Sequence, residues 1–346
     1  MMSRQSLLLM AGAATLVCAA VVTRLASRVT RARRHRQPHL LLDGELPNIQ
    51  WTNAAHVRVA ATSEQAKLLE EACGSDKEIV AFSGNLMARP HITNAPGIEM
   101  HGALAWAEGG GLVKGARPGV VLVHTAVGPQ DYYLRWRAHA LATRGYVVLI
   151  ADLLGDPMGQ GWDREWATPR RAEYAGEGRT LLQQRTRMAL ASLAASPLVD
   201  ASRLAVIGYC FGGRAVLDLL KAEDAPPDGL KGVVSFHGPA DAYAAPATSE
   251  HSSAPRPTPR ALIATAAADP FVPRDALEDC LRVLDTRGCR WELQTFGSAG
   301  GAKHAFTNPA QALNENPSFG YDARADRASW AAARDFLADV FEEQQQ

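Results

Sequence analysis

The run Gly208-Tyr209-Cys210-Phe211-Gly212 places a thiol at the centre of a G-x-C-x-G pattern. The apolar segment before it, Arg203–Gly208 (RLAVIG), reads as a strand, and Gly213–Lys221 after it reads as a helix. Strand, tight turn and helix are the setting of a nucleophile elbow, here with Cys in the position of the usual Ser. Such a turn forces the central side chain outward in a strained conformation. Small residues two before and two after it let the backbones approach. The thiol then sits at a helix N-terminus, whose positive end favours both a thiolate and a developing oxyanion. The N–H of Phe211 is placed as one oxyanion donor. With 29 Gly and 5 Cys in the chain, the pattern is expected by chance about 0.03–0.04 times, so with its flanking elements it outweighs reading Cys210 as one more buried apolar residue.

A nucleophile of this kind needs a base, and the base needs a group to orient it. In this architecture the chain order is nucleophile, acid, histidine, the last two on loops after later strands. Asp269 follows the strand Ala261–Ala266 in AAADPFVP, and His304 follows the strand Arg290–Phe296 in GGAKHAFTNP. Gly297, Gly300 and Gly301 provide a loop able to bring His304 over the elbow. Asp275, Asp279 and Asp285 fall within or near the end of a predicted helix. His237 precedes Asp269, out of order, and reads as a satisfied histidine at a strand end. His124 ends a strand and reads equally as a lining or a structural residue.

The elements that must position these side chains alternate over some 240 residues. Gly119–His124 and Tyr146–Ala151 are short β-branched runs. Asp131–Arg144 and Arg179–Ala195 have helical spacing. Gly232–Phe236 is a further strand, Pro273–Arg287 a helix and Ala323–Glu342 the last helix. Alternation of this kind predicts an α/β fold, a mostly parallel twisted sheet with helices on both faces. Ala245–Pro259, rich in Pro, Ser and Ala, reads as a surface loop. Ser63–Ala72 reads as a short helix with Ser63 as its N-cap. Residues 37–96 are otherwise read as a linker and accessory segment, and residues 97–346 as the catalytic domain.

Apolar residues are 47% and charged residues 21% of the 346 residues, a globular composition that argues against disorder and repeats. Basic and acidic residues balance at 36 each, which leaves no whole-chain basic footprint for nucleic acid. The balance hides an asymmetry. Residues 1–42 hold seven Arg and no acid; taking those seven away leaves 29 basic against 36 acidic. From Gln5 to Thr23 run 19 uncharged residues, followed by Arg24, Arg28, Arg31, Arg33, Arg34 and Arg36. Residues 1–36 are therefore expected to form an N-terminal hydrophobic helix. It would act as a membrane anchor through residues 5–23, with the catalytic domain on the cytosolic side. A mitochondrial leader and a cleaved export signal are the alternatives. The five Cys are scattered without CxxC or zinc spacing, so free thiols and no metal are expected. Gly109-Gly110-Gly111 lacks the helix and Lys of a phosphate loop, and no cofactor is implied.

The pieces VVLVHTAVG, YVVLIADLLGD, VIGYCFGG, AAADPFVP and KHAFTNP, in this order, resemble the dienelactone hydrolase family of the α/β-hydrolases over roughly residues 100–342. The resemblance implies an α/β-hydrolase fold, with Cys210 as nucleophile, His304 as general base and Asp269 as its partner. It also implies a second oxyanion N–H after Gly119–His124, at Thr125 or Ala126. Two positions depart from the family pattern. Thr125 stands where a Glu pairs with the resting Cys. Asn308 stands where an Arg grips a substrate carboxylate, while Arg170 or Arg171 loosely matches a second such Arg. Tyr132, Arg171 and Asn308 are taken as substrate-facing residues. Tyr132, Tyr133, Trp136, Trp162 and Tyr174 either line an apolar acyl pocket or pack as ordinary core.

The expected activity is hydrolysis of a small-molecule ester, lactone or thioester through an acyl-thioester enzyme, by a monomer. A catalytically weak relative acting as a binding protein is the alternative, and a redox-sensing thiol protein a third.

Overall fold

The computed structural model describes residues 49–50, 63–95, 97–112, 115–126, 128–129, 132–155, 179–222, 224–240 and 258–342. The leader, Trp162, Arg170, Arg171, Tyr174 and most of the loop Ala245–Pro259 lie outside them.

Among the described residues nine strands form one sheet: β1 (Ile49–Gln50), β2 (Asn85–Ala95), β3 (Ile98–Glu108), β4 (Arg117–Val123), β5 (Val147–Ala151), β6 (Val199–Tyr209), β7 (Leu230–Phe236), β8 (Arg260–Ala266) and β9 (Trp291–Phe296). Their spatial order is β1-β2-β3-β5-β4-β6-β7-β8-β9. From β5 to β9 every neighbouring pair is parallel, whereas β1, β2 and β3 join antiparallel. The helices are α1 (Ser63–Gly74), α2 (Lys77–Ala81), α3 (Tyr132–Ala142), α4 (Arg179–Ala194), α5 (Phe211–Lys221), α6 (Arg274–Thr286) and α7 (Ala323–Glu342).

Pleating explains the continuous apolar strands. In β4, Val120 and Leu122 pack with residues of α1, α3 and α7, while Val121 and Val123 pack with residues of α4, α5 and α6. Successive side chains point to opposite faces, so a strand covered on both sides must be apolar at every position. All four residues are fully buried. Each face thus carries its own core, and the sheet lies between them.

Two regions differ from the sequence expectation. Residues 85–96, assigned to a linker, largely form β2, which pairs with β3 from Asn85↔Glu108 to Ala95↔Ile98. Ragged burial along β2 and an internal Pro90 mask its periodicity; Pro is tolerated toward the margin of a sheet. The accessory helices are also tied into the body. Asp76 caps α2 through the N–H groups of Glu78 and Ile79, and its other oxygen accepts from Trp136 Nε1 at 2.9 Å. Arg144 forks onto Glu78 at 2.7 and 3.0 Å, and Arg334 of α7 bonds the same carboxylate. Among the described residues no helix is long and apolar enough to cross a membrane. The expected hydrophobic helix at residues 5–23 lies outside them.

Candidate active site

At the C-terminal end of β6 the chain turns abruptly into α5, and Cys210 is the N-cap with φ 54° and ψ −114°. A non-glycine residue in this region is strained by about 1–3 kcal/mol and persists only where its surroundings over-determine it. The glycines supply that constraint. A Cβ on Gly208 would lie 2.1 Å from the Gly212 carbonyl oxygen, and one on Gly212 would lie 2.4 Å from the Val123 carbonyl oxygen. Backbone therefore packs directly on backbone around the turn. The Gly212 N–H donates to His124 O at 3.0 Å, locking the turn to the end of β4.

His304 Nε2 lies 3.0 Å from Cys210 Sγ, and His304 Nδ1 lies 2.8 Å from Asp269 Oδ2. Asp269 is itself oriented, since its Oδ1 accepts the Phe271 N–H at 2.8 Å. The loop carrying His304 passes through the 3-10 turn Ser298–Gly300 and Gly301 at φ 90°. It is held by backbone bonds from His304 N–H to Ser318 O at 3.1 Å and from Gly320 N–H to His304 O at 3.2 Å. His304 and Asp269 are both buried. The structure therefore brings together all three residues singled out from sequence, at hydrogen-bonding distance.

The electrostatics distinguish this thiol from the others. Burial works to raise the Cys210 pKa. It is outweighed by the charge and hydrogen bond of His304 and by the N–H groups of Phe211 and Ala126, so the pKa lies below the usual thiol value. For His304, burial opposes protonation, but Cys210 and Asp269 carry the pKa up to about 10. Both shifts favour the thiolate–imidazolium form of the pair over the neutral one. The remaining described cysteines, Cys73, Cys280 and Cys289, are free thiols pushed upward chiefly by burial, Cys73 to about 11 and Cys289 to about 12.

The N–H groups of Phe211 and Ala126 both hydrogen-bond the Cys210 sulfur. Thr125 contributes differently: its carbonyl takes His124 Nδ1 at 2.6 Å and the Gly128 N–H at 3.2 Å. His124 Nε2 accepts the Leu153 N–H at 2.9 Å, so His124 is a clamp on this loop. Asn308 is buried, and its side-chain oxygen caps the 3-10 turn Pro309–Leu313 through the Ala310 N–H at 3.0 Å. That oxygen is committed to the fold. Tyr132 is buried in the core and bonds the Cys73 thiol of α1. Tyr133 and Trp136 pack around the buried Arg137 guanidinium, at 5.0 and 4.1 Å from its carbon. Arg137 is paired with Asp326 and held protonated. These rings are core, as one of the two sequence readings had it. Arg171 lies outside the described residues.

Sequence reasoning missed two rings beside the site. Phe271 and Phe319 stand edge-on to His304, with centroids at 4.7 and 5.2 Å. Phe271 had a signal, two residues after Asp269, whereas Phe319 lies in a segment without periodicity. Among the described residues no group of three or more His, Cys, Asp or Glu side chains is placed to hold a metal ion.

A sequence model of the dienelactone hydrolase family matches residues 111–341. The chain belongs to the dienelactone hydrolase family. It is a hydrolase, on an α/β-hydrolase fold. Among solved structures it is similar to one named m3DLH, with 31% identity and a TM-score of 0.63 over 74% of this chain and 99% of that one. It is also similar to the dienelactone hydrolase-like promiscuous phosphotriesterase P91 from metagenomic libraries, with 30% identity and a TM-score of 0.62 over the same shares. An uncharacterised Caenorhabditis elegans protein is 29% identical over 163 residues, 46% of this chain and 94% of that protein.

Proposed function

We propose that this family member cleaves a carboxylic ester, lactone or thioester by nucleophilic catalysis at Cys210. The observation that carries the reading is the continuous contact from Asp269 through His304 to a thiol of lowered pKa. The thiolate attacks the carbonyl carbon, and the carbonyl oxygen takes the charge between the Phe211 and Ala126 N–H groups. His304, as imidazolium, protonates the departing alcohol or thiol. The neutral imidazole left behind takes a proton from water. The hydroxide equivalent attacks the acyl-thioester, the second tetrahedral intermediate collapses, and the acid and the Cys210 thiolate are released. With Thr125 in place of a carboxylate, ionisation of the thiol rests on His304 and the backbone donors alone.

The test is hydrolysis of short-chain aryl esters by the full chain against Cys210→Ala. The expected result is measurable turnover lost by at least about a thousandfold in the variant. Equal rates in both proteins overturn the reading. A second substrate class is supported by the likeness to P91: a phosphotriester, whose phosphoryl oxygen would occupy the same donors while the thiolate displaces an aryloxide. Release of aryloxide from a dialkyl aryl phosphate, absent in Cys210→Ala, tests it. Asn308 offers no positive charge to a substrate carboxylate, so dienelactone is expected to turn over poorly beside neutral esters.

The 19 uncharged residues Gln5–Thr23 and the arginines after them support a single-span anchor that leaves the enzyme on the cytosolic side. Membrane fractionation of the full chain, with carbonate extraction and protease protection, distinguishes this from a cleaved or mitochondrial leader.

A further inference from the structure

The ring of His237 is absent from the proposed chemistry, yet it bonds both structures that the chemistry depends on. His237 follows β7 with φ 40°, in the left-handed region, and is 1% exposed. Its own N–H donates to Ala264 O at 2.7 Å. The Nδ1 atom accepts the N–H of Cys210 at 3.1 Å, an amide shared with Phe236 O at 3.0 Å. Because Nδ1 accepts, the ring proton is on Nε2, which donates to Thr307 Oγ1 at 3.0 Å. Thr307 lies three residues beyond His304. The groups around the ring are His304, edge-on at 5.3 Å between centroids, with Phe306 at 5.6 Å and Tyr209 at 6.1 Å. Burial, aided by the charge of His304, holds this histidine well below its ordinary pKa. It keeps the acceptor at Nδ1 while its neighbour is charged.

We propose that His237 is a positioning residue: its ring ties the backbone of Cys210 to Thr307 in the loop that carries His304, and so sets the separation of thiol and imidazole. The proposal rests on the reading of Cys210 as nucleophile and His304 as base. A backbone turn at a strained φ has to be gripped from outside, and a planar ring with an acceptor at one end and a donor at the other grips it at a fixed span. Packing alone would be served by a phenyl or isobutyl group, without burying two polar atoms.

The test uses the full chain with His237→Leu, His237→Asn and Thr307→Val. One readout is the pH profile of Cys210 alkylation by iodoacetamide, with the site assigned by mass spectrometry. Others are kcat and KM for an aryl ester and the melting temperature. His237→Leu is expected to slow alkylation at pH 6 by about tenfold. It should lower kcat by about ten- to a hundredfold with KM within about threefold. The carboxamide of His237→Asn can still accept the Cys210 N–H and should recover a large part of both. Thr307→Val cuts the other end of the bridge and should move both readouts in the same direction as His237→Leu. It keeps the question answerable if that variant does not fold. Unchanged profiles in folded His237→Leu and Thr307→Val overturn the proposal, as do losses that follow melting temperature alone with Asn no better than Leu. Ester hydrolysis surviving Cys210→Ala would remove the functional reading. The alkylation profile needs no substrate and judges the geometry of the bridge by itself.

Discussion

A thiol 3.0 Å from an imidazole that is itself 2.8 Å from a carboxylate titrates as one member of a pair, and its apparent pKa values belong to the pair. Cys210 is lowered and His304 raised to about 10. The ion pair therefore exists from below the ordinary thiol value up to about pH 10. It is lost on the acid side when the thiolate takes a proton and on the alkaline side when His304 gives one up. Initial-rate measurements should give a bell for kcat/KM, with the alkaline limb near pH 10. His304→Ala should return Cys210 to the alkylation profile of an ordinary or buried thiol, with little reaction at pH 6. An unchanged profile in that variant would show that the helix terminus and backbone donors suffice without the histidine. Asp269→Asn keeps the size of the side chain but weakens support for the imidazolium. A drop in kcat of at least about a hundredfold is expected, read at saturating ester. Cys210, His304 and Asp269 were legible because a nucleophile, its acid and its histidine must follow strand ends in fixed order. The surroundings of Tyr132 and Asn308 were not legible, because residue type does not reveal which way a side chain faces. The signal at Asn308 was a different one: Asn before Pro309 is a helix-start pattern, and the structure uses it as a cap.

The elbow is an element-scale device, because it works only if β4, β6 and α5 approach backbone to backbone. Gly208→Ala puts a methyl group 2.1 Å from Gly212 O and 2.7 Å from Gly213 N. Neither is a flexible side-chain end, so the turn itself must open. The variant should lose at least about 1–3 kcal/mol of stability. It should also lose activity beyond its unfolded fraction, because Cys210 moves off both N–H donors; denaturation and kcat measured on the same preparation check this. Wild-type kcat with normal stability would mean the strain is not needed. The same close packing explains what could be read at this scale. Strands buried on both faces, such as Val147–Ala151, are apolar throughout and stand out. The helix Arg274–Thr286 came within one residue at each end because Pro273 and Arg287 flank it as caps. β2 and β3 were lost because a half-exposed strand pair needs no apolar run. Their identity is fixed by eleven cross-strand pairs, a long-range property that no short window contains. The start of α5 at Phe211, two residues before the reading from sequence, has the same origin. Phe211-Gly212-Gly213 has poor helix propensity, and the turn is imposed by its neighbours.

At the scale of the molecule, both faces of the sheet hold polar groups that had to be accommodated in the core, and this sets the response to acid. His139 lies on α3, buried, and burial, aided by the charge of Arg135, pushes its pKa down to about 4. The unfolded chain has an ordinary histidine there, at about 6.5. Between those values the unfolded state binds a proton that the native state refuses, so stability falls as the pH falls from about 6.5 toward 4. At one unit per 1.36 kcal/mol, His139 alone accounts for up to about 3 kcal/mol of that loss. His237, lowered in the same direction by burial, adds a second proton to the slope. Glu78 acts in a different window. Its pKa is lowered by the hydrogen bond from Arg144, so its contribution is present above the ordinary glutamate value and disappears only below about 4.5. A urea midpoint that drops steadily between pH 6.5 and 4.5 therefore reports buried histidines and not the Arg144–Glu78–Arg334 clamp. His139→Met replaces the ring with an apolar chain of similar length. It should flatten that part of the curve by about one proton's worth of slope while leaving the urea m-value unchanged. If the variant falls as steeply as the wild type, the acid sensitivity belongs to other groups. Asp326, whose pKa burial raises to about 6, takes up a proton in the native state over part of the same range and offsets one of the two, so a midpoint that is flat in the wild type would mean that at most one histidine is held neutral by the fold.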